Sequence, residues 1–287
     1  MLNKDSILVP TDFSEVCDNA INHGCDLANY FNFKVYILHV ITKETKKFLK
    51  EEGKTVDYLK EKLENYAKEK AEEFGVEVIP VLKEGSIFDV IGQTAKELEV
   101  GLVILGTHGK VGFQRLTGSY ALKVINNTEV PTVVVQKKRY TGGYKNIVFP
   151  ITPITEDRQK VKLAISIAKS FDAKIHIFPK EENDKIWLKK MRVITKQITD
   201  SFDAAGVRYV VADPSEWPGN FAKQVIDYSV VNDADLIMIM TSSEPTLPMF
   251  DTWDEQIIFN SSQIPVMCIN PARVKTIKFT GSTWRAI

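Results

Sequence analysis

Leu102-Val-Ile-Leu-Gly-Thr-His-Gly-Lys-Val-Gly-Phe-Gln-Arg-Leu-Thr-Gly-Ser119 is an apolar strand that runs directly into a glycine-rich turn and then into a helix start. Glycine lets the main chain approach a ligand closely, because no Cβ stands in the way. Backbone N–H groups placed before the positive end of a helix favour anions such as phosphate groups. The segment therefore indicates a phosphate-binding site, and the alternative is an ordinary strand-to-helix loop.

The spacing of the glycines in this segment distinguishes it from other phosphate-binding motifs. Its glycines are Gly106, Gly109, Gly112 and Gly118. Lys110 and Arg115 add two positive charges to the loop, and Ser119 follows the last glycine where a helix N-cap is expected. The pattern lacks the Gly-Lys-Ser/Thr ending of a P-loop and the Gly-x-Gly-x-x-Gly of a dinucleotide fingerprint. The segment therefore indicates a phosphate-binding loop that matches neither of these two motifs.

The length and charge of the chain limit the kinds of protein it can be. The chain has 287 residues, which suits two domains, and its 37 basic and 37 acidic residues give a formal net charge of zero. Nucleic acids and anionic membranes attract concentrated basic surfaces, so this balance predicts neither as a partner. No apolar run approaches the length of a membrane span, and the N-terminus has no signal-peptide core. We expect a soluble, cytoplasmic protein.

The residues that carry most enzyme chemistry are scattered. Cys17, Cys25 and Cys268 form no Cys-x-x-Cys pair, so neither a disulfide framework nor a zinc site is expected. Cys17 and Cys25 are interpreted as core residues of one helix. Of the four histidines, only His108 lies near the glycine-rich turn, and no catalytic motif surrounds it. The sequence predicts no metal, no catalytic residue and no enzyme, with slow hydrolysis of bound ATP as a secondary alternative.

The chain contains an internal repeat. Ile7-Leu-Val-Pro-Thr-Asp-Phe13 aligns with Ile147-Val-Phe-Pro-Ile-Thr-Pro153, and Leu102-Val-Ile-Leu105 aligns with Leu236-Ile-Met-Ile239. Self-similarity over this length indicates two copies of one domain. The predicted domains are 1–138 and 145–271, joined by a linker at 139–144 and followed by a tail at 272–287.

Each copy alternates strands and helices. The short β-branched strands without polar alternation predict an α/β fold with a doubly wound, five-stranded parallel sheet in each half. The predicted strands of the first copy are Ser6–Pro10, Lys34–His39, Glu77–Leu82, Leu102–Leu105 and Thr132–Gln136, and its predicted helices are Val16–Tyr30, Lys54–Phe74, Ile87–Leu98 and Ser119–Asn126. Such sheets bind ligands at the carboxyl ends of their strands, where Asp12 and Gly106 lie.

One helix of the second copy has a clear apolar period. The segment Asp184–Ala205 predicts a long helix whose buried stripe consists of Ile186, Met191, Ile194 and Ile198.

These motifs resemble the universal stress protein family over nearly the full length, as a tandem, UspA-like member. Val9-Pro-Thr-Asp-Phe-Ser14, Gly106-Thr-His-Gly109 and Gly118-Ser119 match the nucleotide-binding branch of that family. The resemblance implies a Rossmann-like fold of the adenine nucleotide alpha hydrolase type in each half. It also implies that the two halves pack as an intrachain pseudo-dimer through their last strands, and it leaves open whether two chains form a homodimer.

The resemblance also implies roles for residues of the first copy. Asp12 would hold the ribose or adenine end of ATP or AMP, and the phosphates would meet the glycine-rich loop. The implied nucleotide-binding residues are Pro10, Thr11, Asp12, Val40, Leu105, Gly106, His108, Gly109, Lys110, Arg115, Gly118, Ser119 and Tyr120. The family has nine residues between the last two glycine positions, whereas this chain has one fewer between Gly109 and Gly118. The shorter loop leaves ATP, with or without magnesium, and AMP as alternatives.

The second copy departs from this pattern. Thr152 stands in the position of Asp12, Met240 in that of Gly106, and Ser243 in that of Gly109. The loop at 244–255 carries four acids and no base, which would repel a triphosphate. We expect a nucleotide in the first copy only, acting in a stress-response or signalling module. The alternative is a scaffold that binds no nucleotide and acts through contacts between domains and subunits.

Overall fold

The computed structural model describes residues 5–107, 118–241 and 252–270. The chain divides into two compact units, Met1–Thr141 and Gly142–Ile287. His108, Gly109, Lys110 and Arg115 of the predicted site, Ser243, and the predicted tail lie outside the described residues.

The first unit is a parallel α/β sheet with the strand order β3-β2-β1-β4-β5. Its order reverses between β1 and β4, where Ile7 lies opposite Leu102. Its elements are β1 (Ser6–Pro10), α1 (Glu15–Phe31), β2 (Lys34–Ile41), α2 (Lys43–Glu51), α3 (Val56–Phe74), β3 (Val78–Glu84), α4 (Ile87–Glu97), β4 (Leu102–Gly106), α5 (Gly118–Asn127) and β5 (Thr132–Val135).

The second unit repeats this plan with the strand order β8-β7-β6-β9-β10, again parallel. Its elements are β6 (Asn146–Ile151), a 3-10 helix (Thr155–Lys160), α6 (Val161–Phe171), β7 (Lys174–Pro179), α7 (Lys185–Ala205), β8 (Tyr209–Val211), a short 3-10 helix (Pro214–Glu216), α8 (Phe221–Val231), β9 (Leu236–Met240), α9 (Trp253–Ile258) and β10 (Val266–Ile269). The predicted doubly wound α/β fold is confirmed.

The register of the sheets aligns the two units residue by residue. Ile7 pairs with Leu102 in the first unit, as Ile147 pairs with Leu236 in the second. Helices α1 and α6 both end on a left-handed residue, Asn32 and Asp172, whose N–H donates to the equivalent Ala28 or Ala168 carbonyl. A constant offset therefore holds from the start of the first strand of each unit to the end of its first helix.

Burial explains why these segments form a sheet core. Every residue of β1 is buried, as are the last five residues of β6, so both sheets are covered on both faces. Cys17 and Cys25 are fully buried and free, which confirms their interpretation as core residues. Among the described residues, no helix has the length and apolar character needed to span a bilayer.

The structure corrects two details of the elements. Helix α2 was absent from the predicted elements, because its nine residues include only two apolar ones, Phe48 and Leu49, and it buries only Thr45 and Leu49. Ile186 is 76% exposed, so its place in the buried stripe of α7 was wrong. Residues 185–189 are all exposed, whereas Met191, Ile194 and Ile198 are buried as predicted. The first turn of α7 therefore extends past the elements that cover the rest of the helix.

Candidate functional site

The candidate site lies where the strand order of the first unit reverses. Asp12 follows the carboxyl end of β1, and Gly106 is the last residue of the neighbouring strand β4. The side chain of Asp12 is exposed, whereas Pro10, Val40 and Leu105 are buried beside it in the ends of the strands. In open α/β sheets this crevice is the usual place for a ligand.

Asp12 is an ionised acceptor held by its neighbours. The Ser14 backbone N–H donates to Asp12 Oδ1 at 2.9 Å. Partial desolvation raises the pKa of Asp12, but hydrogen bonds from Ser14 and from the Cys17 thiol outweigh it, so the pKa lies below its usual value. Burial, followed by the Asp12 charge, raises the pKa of Cys17 to about 12, so the thiol stays protonated. The site thus presents a carboxylate that accepts hydrogen bonds from ligand hydroxyl or amino groups.

The turn that carries Asp12 is fixed on both sides. Phe13 has a φ of 64°, in the left-handed region that bulky residues rarely adopt, and its N–H donates to Thr11 Oγ1 at 3.0 Å. The Phe13 ring packs against His39 with the centroids 4.9 Å apart, and Lys62 Nζ lies 4.0 Å from the same ring centroid. His39 Nδ1 lies 2.8 Å from the backbone carbonyl oxygen of Thr11 and donates to it, because a carbonyl oxygen only accepts hydrogen bonds. These contacts hold the turn that carries Asp12.

Gly106 is required for close packing between β4 and α1. An ideal Cβ on Gly106 would overlap the Val16 carbonyl oxygen and lie 2.7 Å from its carbon. Gly106 is not among the residues with positive φ, so its role in the described structure is close approach. The sequence predicted close approach to a ligand, and the structure adds the first turn of α1 as a neighbour that excludes a side chain.

The remaining predicted residues fall at the start of α5 or outside the described residues. Gly118, Ser119 and Tyr120 are the first three residues of α5, which places a helix N-terminus where the sequence indicates one. The structure therefore brings Pro10, Thr11, Asp12, Val40, Leu105 and Gly106 to one edge of the sheet.

The residues that hold Asp12 and its turn were not among the predicted site residues. Ser14, Cys17, Phe13 and His39 act on Asp12 or on its turn through the contacts given above. The Asp-x-Ser spacing is a signal that predicts a side-chain turn, since Asp accepts from the backbone two residues on. The His39 contact joins two strand ends, so a single segment of sequence carries no sign of it.

Space for a ligand continues beyond Val40. A cleft of about 690 Å³ opens at the carboxyl ends of β2 and β3, and Ile41, Thr42, Gly85 and Phe88 contribute to its lining. Apolar side chains share this lining with polar and charged side chains from the start of α2 and the end of β3, so the cleft offers both packing and hydrogen bonds to a ligand.

The second unit fills the equivalent position with its own side chains. Thr152 aligns with Asp12, and its N–H and Oγ1 donate to Asp157 Oδ2 at 2.6 and 2.7 Å. By the same offset Asp157 replaces Cys17 and Lys160 replaces Ala20. The carboxylate has thus moved from the exposed end of the strand to a buried place under the first helix.

Lys160 neutralises this carboxylate inside the protein. Lys160 is 0% exposed, and its Nζ lies 3.1 Å from Asp157 Oδ1. The same Nζ donates to the Pro150 carbonyl and lies 4.4 Å from the centroid of the Phe149 ring. Burial lowers the pKa of Lys160, while the Asp157 charge opposes that change. Met240 is buried in the position of Gly106, and a 3-10 helix replaces the regular first turn that α1 has there.

The start of α9 also differs from that of α5. Thr252 and Trp253 take the positions of Gly118 and Ser119, and the Trp253 ring packs against Phe221 with the centroids 5.2 Å apart. Two of the four predicted loop acids, Asp254 and Glu255, lie in the first turn of α9, and the other two lie outside the described residues.

Known proteins are similar to this chain in sequence and in fold. The model described as the universal stress protein family matches residues 4–136, which belong to the first unit. The universal stress protein MJ0531 of Methanocaldococcus jannaschii is 34% identical over 147 residues, or 46% of this chain and 82% of that protein. The universal stress protein MJ0577 of the same organism is 30% identical over 154 residues, or 46% of this chain and 94% of that protein.

A solved structure extends the likeness to both units. The crystal structure of a universal stress protein from Archaeoglobus fulgidus DSM 4304 has a TM-score of 0.74 and covers 94% of this chain and 99% of that chain. Its sequence identity of 17% restricts the likeness to the fold. Because relatives at or above 30% identity match over most of their own length, this chain belongs to the universal stress protein family.

Proposed function

We propose that the first unit binds an adenine nucleotide, ATP or AMP, and that the protein acts as a nucleotide-dependent stress-response or signalling module. In this proposal the second unit binds no nucleotide, and the nucleotide is sensed without being an enzyme substrate. The adenine assignment comes from the family motifs in the sequence, and the geometry of Asp12 supports a ligand at that edge of the sheet.

The orientation of Asp12 carries the proposal. An exposed carboxylate with a lowered pKa stands at the switch point of the sheet, held by Ser14 and by the packed Phe13 turn. A carboxylate there accepts hydrogen bonds from the hydroxyl groups of a ribose or from an exocyclic amino group. The cleft at the ends of β2 and β3 begins at Ile41, the residue after Val40, and is large enough for a flat ring.

The other end of the ligand is supported by sequence and helix placement. Helix α5 begins at Gly118, and the partial positive charge of a helix N-terminus favours phosphate groups. The loop before it holds Lys110 and Arg115 in the sequence, and both charges would favour a polyanion. A nucleotide with about 30 heavy atoms that gains about 0.3 kcal/mol per atom would bind in the micromolar range.

Equilibrium dialysis of the full chain with ATP and with AMP, each with and without Mg²⁺, tests this proposal. We expect one saturable site per chain. Asp12→Asn keeps an oxygen that accepts from Ser14 but removes the charge, so binding should weaken by about 10- to 100-fold, as expected for a charged hydrogen bond.

A matched control is available in the second unit. Asp213 accepts from the Ser215 N–H at 3.0 Å in the same Asp-x-Ser arrangement, and its pKa is also lowered, chiefly by hydrogen bonds to Ser215. Asp213→Asn should leave nucleotide binding unchanged. If neither nucleotide binds at millimolar concentration, the sensing proposal is wrong and the scaffold alternative takes its place.

A further inference from the structure

The first half of α7 exposes an unusual group of apolar side chains. Ile186 is 76% exposed, Val193 48%, Trp187 45% and Leu188 37%. Soluble proteins expose single apolar residues often, but a cluster of large ones at one end of a helix marks an interaction surface. We define the α7 surface as Lys185, Ile186, Trp187, Leu188, Lys189, Lys190, Arg192 and Val193, which are all exposed except the half-buried Lys190.

The apolar members of the α7 surface point in different directions around the helix. Trp187 precedes Met191 by one turn, so it continues the buried stripe beyond the part of α7 that is covered. Ile186 and Val193 are two turns apart and share a different face of the helix. The end of the helix is therefore apolar on several sides.

Cations surround these apolar side chains. Lys185, Lys189, Lys190 and Arg192 lie within eight residues that contain no acid. Lys190 Nζ lies 4.9 Å from the Trp187 ring centroid, and no carboxylate among the described residues forms an ion pair with Lys185, Lys189 or Arg192.

Three acids precede the helix, and two of them are engaged. The Asp184 carboxylate caps α7 by accepting from the Ile186 and Trp187 N–H groups at 2.8 and 3.1 Å. Glu182 pairs with Lys180 at 3.1 Å, and Glu181 is exposed. Positive charge therefore dominates the α7 surface.

We propose that the α7 surface binds the face of an anionic lipid bilayer. Ile186, Trp187 and Leu188 enter the boundary between headgroups and acyl chains, and the cations contact lipid phosphates. A groove on a protein partner accepts one face of a helix, whereas a fluid lipid interface surrounds a helix end that is apolar on several sides. Tryptophan also favours that interface, because its ring is apolar and its N–H is polar.

The net charge of the chain does not oppose this binding. A formal charge of zero over 287 residues predicts no anionic partner on average, but attraction at a surface acts only within about one Debye length. The four cations of the α7 surface lie within that distance of any lipid that contacts Trp187, since eight helical residues span about 12 Å.

Vesicle sedimentation of the full chain tests the proposal. We expect binding to phosphatidylcholine vesicles that contain phosphatidylglycerol, little binding to pure phosphatidylcholine, and release at high salt. Trp187 emission should shift to shorter wavelength on binding. Trp187→Phe should abolish that shift while most of the binding remains, which assigns the signal to this residue among the four tryptophans.

Two variants separate the apolar and charged contributions. Ile186→Gln with Trp187→Gln and Leu188→Gln should abolish binding, and these exposed positions tolerate glutamine, a good helix former. Lys185→Gln with Lys189→Gln, Lys190→Gln and Arg192→Gln should weaken binding by about 100-fold or more, since each cation near an anionic surface contributes severalfold. The matched control removes the same charge from α2, through Lys43→Gln, Lys46→Gln, Lys47→Gln and Lys50→Gln, and should bind vesicles as the unchanged protein does.

Three results would overturn the proposal. The first is equal sedimentation with anionic and neutral vesicles, and the second is an equal loss of binding in the α2 control. The third is a Trp187 emission that anionic vesicles leave unchanged.

Discussion

The ends of β1 and β6 occupy the same place in two copies of one fold, yet they hold charge in opposite ways. At the end of β1 the carboxylate of Asp12 is exposed, and the neutral Cys17 thiol lies behind it. At the end of β6 the hydroxyl of Thr152 takes the outer position, and the Asp157 carboxylate lies behind it against Lys160. The first arrangement leaves an acceptor for a ligand, whereas the second satisfies its acceptor internally.

This difference shows how two copies of one fold can place different chemistry at the end of the same strand. In the second unit the acid lies at the position of Cys17 rather than at that of Asp12, and a lysine stands at the position of Ala20. Met240 adds volume where Gly106 allows only backbone, and the adjacent helix start becomes a 3-10 helix. Buried charges need partners, so Asp157 and Lys160 depend on each other.

Removing the buried cation of the second unit should have the largest effect. Lys160→Met leaves the Asp157 carboxylate buried and uncompensated, so the free energy of unfolding should fall by about 3–5 kcal/mol. Chemical denaturation measures this change. Combining Lys160→Met with Asp157→Asn should recover much of the loss, and a double variant as unstable as the single one would refute the role of the ion pair.

Adding one methyl group at the end of β4 should be the next most damaging change. Gly106→Ala places a Cβ against the Val16 backbone, which cannot move without shifting α1, so we expect a loss of about 3 kcal/mol. Met240→Leu at the equivalent position of the second unit nearly conserves volume and should change stability by less than about 1.5 kcal/mol. Thermal unfolding of both variants compares them, and equal stability would contradict the close contact.

The pH dependence of stability should distinguish the two first helices. Burial lowers the pKa of His23 to about 4, while a hydrogen bond to the Tyr140 backbone opposes the change. The unfolded chain takes up this proton near pH 6.5, so the unfolded state binds more protons between these values and stability falls as the pH falls through that window. The loss at pH 5 is about 2 kcal/mol relative to neutral pH.

His23→Leu introduces the residue that the second unit has at the equivalent position, Leu163. Leucine does not titrate, so the variant should lose less stability between pH 7 and pH 5 than the unchanged protein, as measured by urea unfolding at several pH values. His176, whose pKa burial also lowers to about 4, remains in both proteins and contributes equally to both curves. Parallel curves for the two proteins would show that His23 is not the group responsible.

Replacing Asp172, which ends the first helix of the second unit, by asparagine, the residue at the same place in the first unit, should have the smallest effect. Asp172 and Asn32 both adopt a left-handed conformation there, and Asn tolerates it as well as Asp. Asp172→Asn also removes an exposed ion pair with Arg208, which contributes little in solvent. We expect a change below about 0.5 kcal/mol in chemical denaturation, and a loss of several times that value would show that the ion pair is stronger than its exposure indicates.

Much of the fold could be predicted because each signal is local. Apolar runs without alternation predicted β1 with its observed bounds, and the glycine-rich segment predicted the helix that begins at Gly118. Helix α2 was not predicted because Phe48 and Leu49 are its only apolar residues, too few to reveal a helix, although Thr42 caps it.

In the candidate site, too, one part could be predicted from the sequence and another part could not. The position of Asp12 could be predicted from its place after an apolar strand, and its expected nucleotide came from the family motifs around it. The turn that carries Asp12 is contacted by His39 and Lys62, which lie far along the chain and reach it only after folding.

The sequence by itself determined the two-copy α/β organisation and the position of Asp12 after the first strand, because both follow from patterns within short segments. Only the tertiary structure decided that Lys160 and Asp157 form a buried pair, and that Ile186 and Trp187 are exposed. A charged or apolar residue has the same identity in any environment, and its effect depends on which distant elements cover it. That cover arises from packing between elements, which the order of residues along one helix does not record.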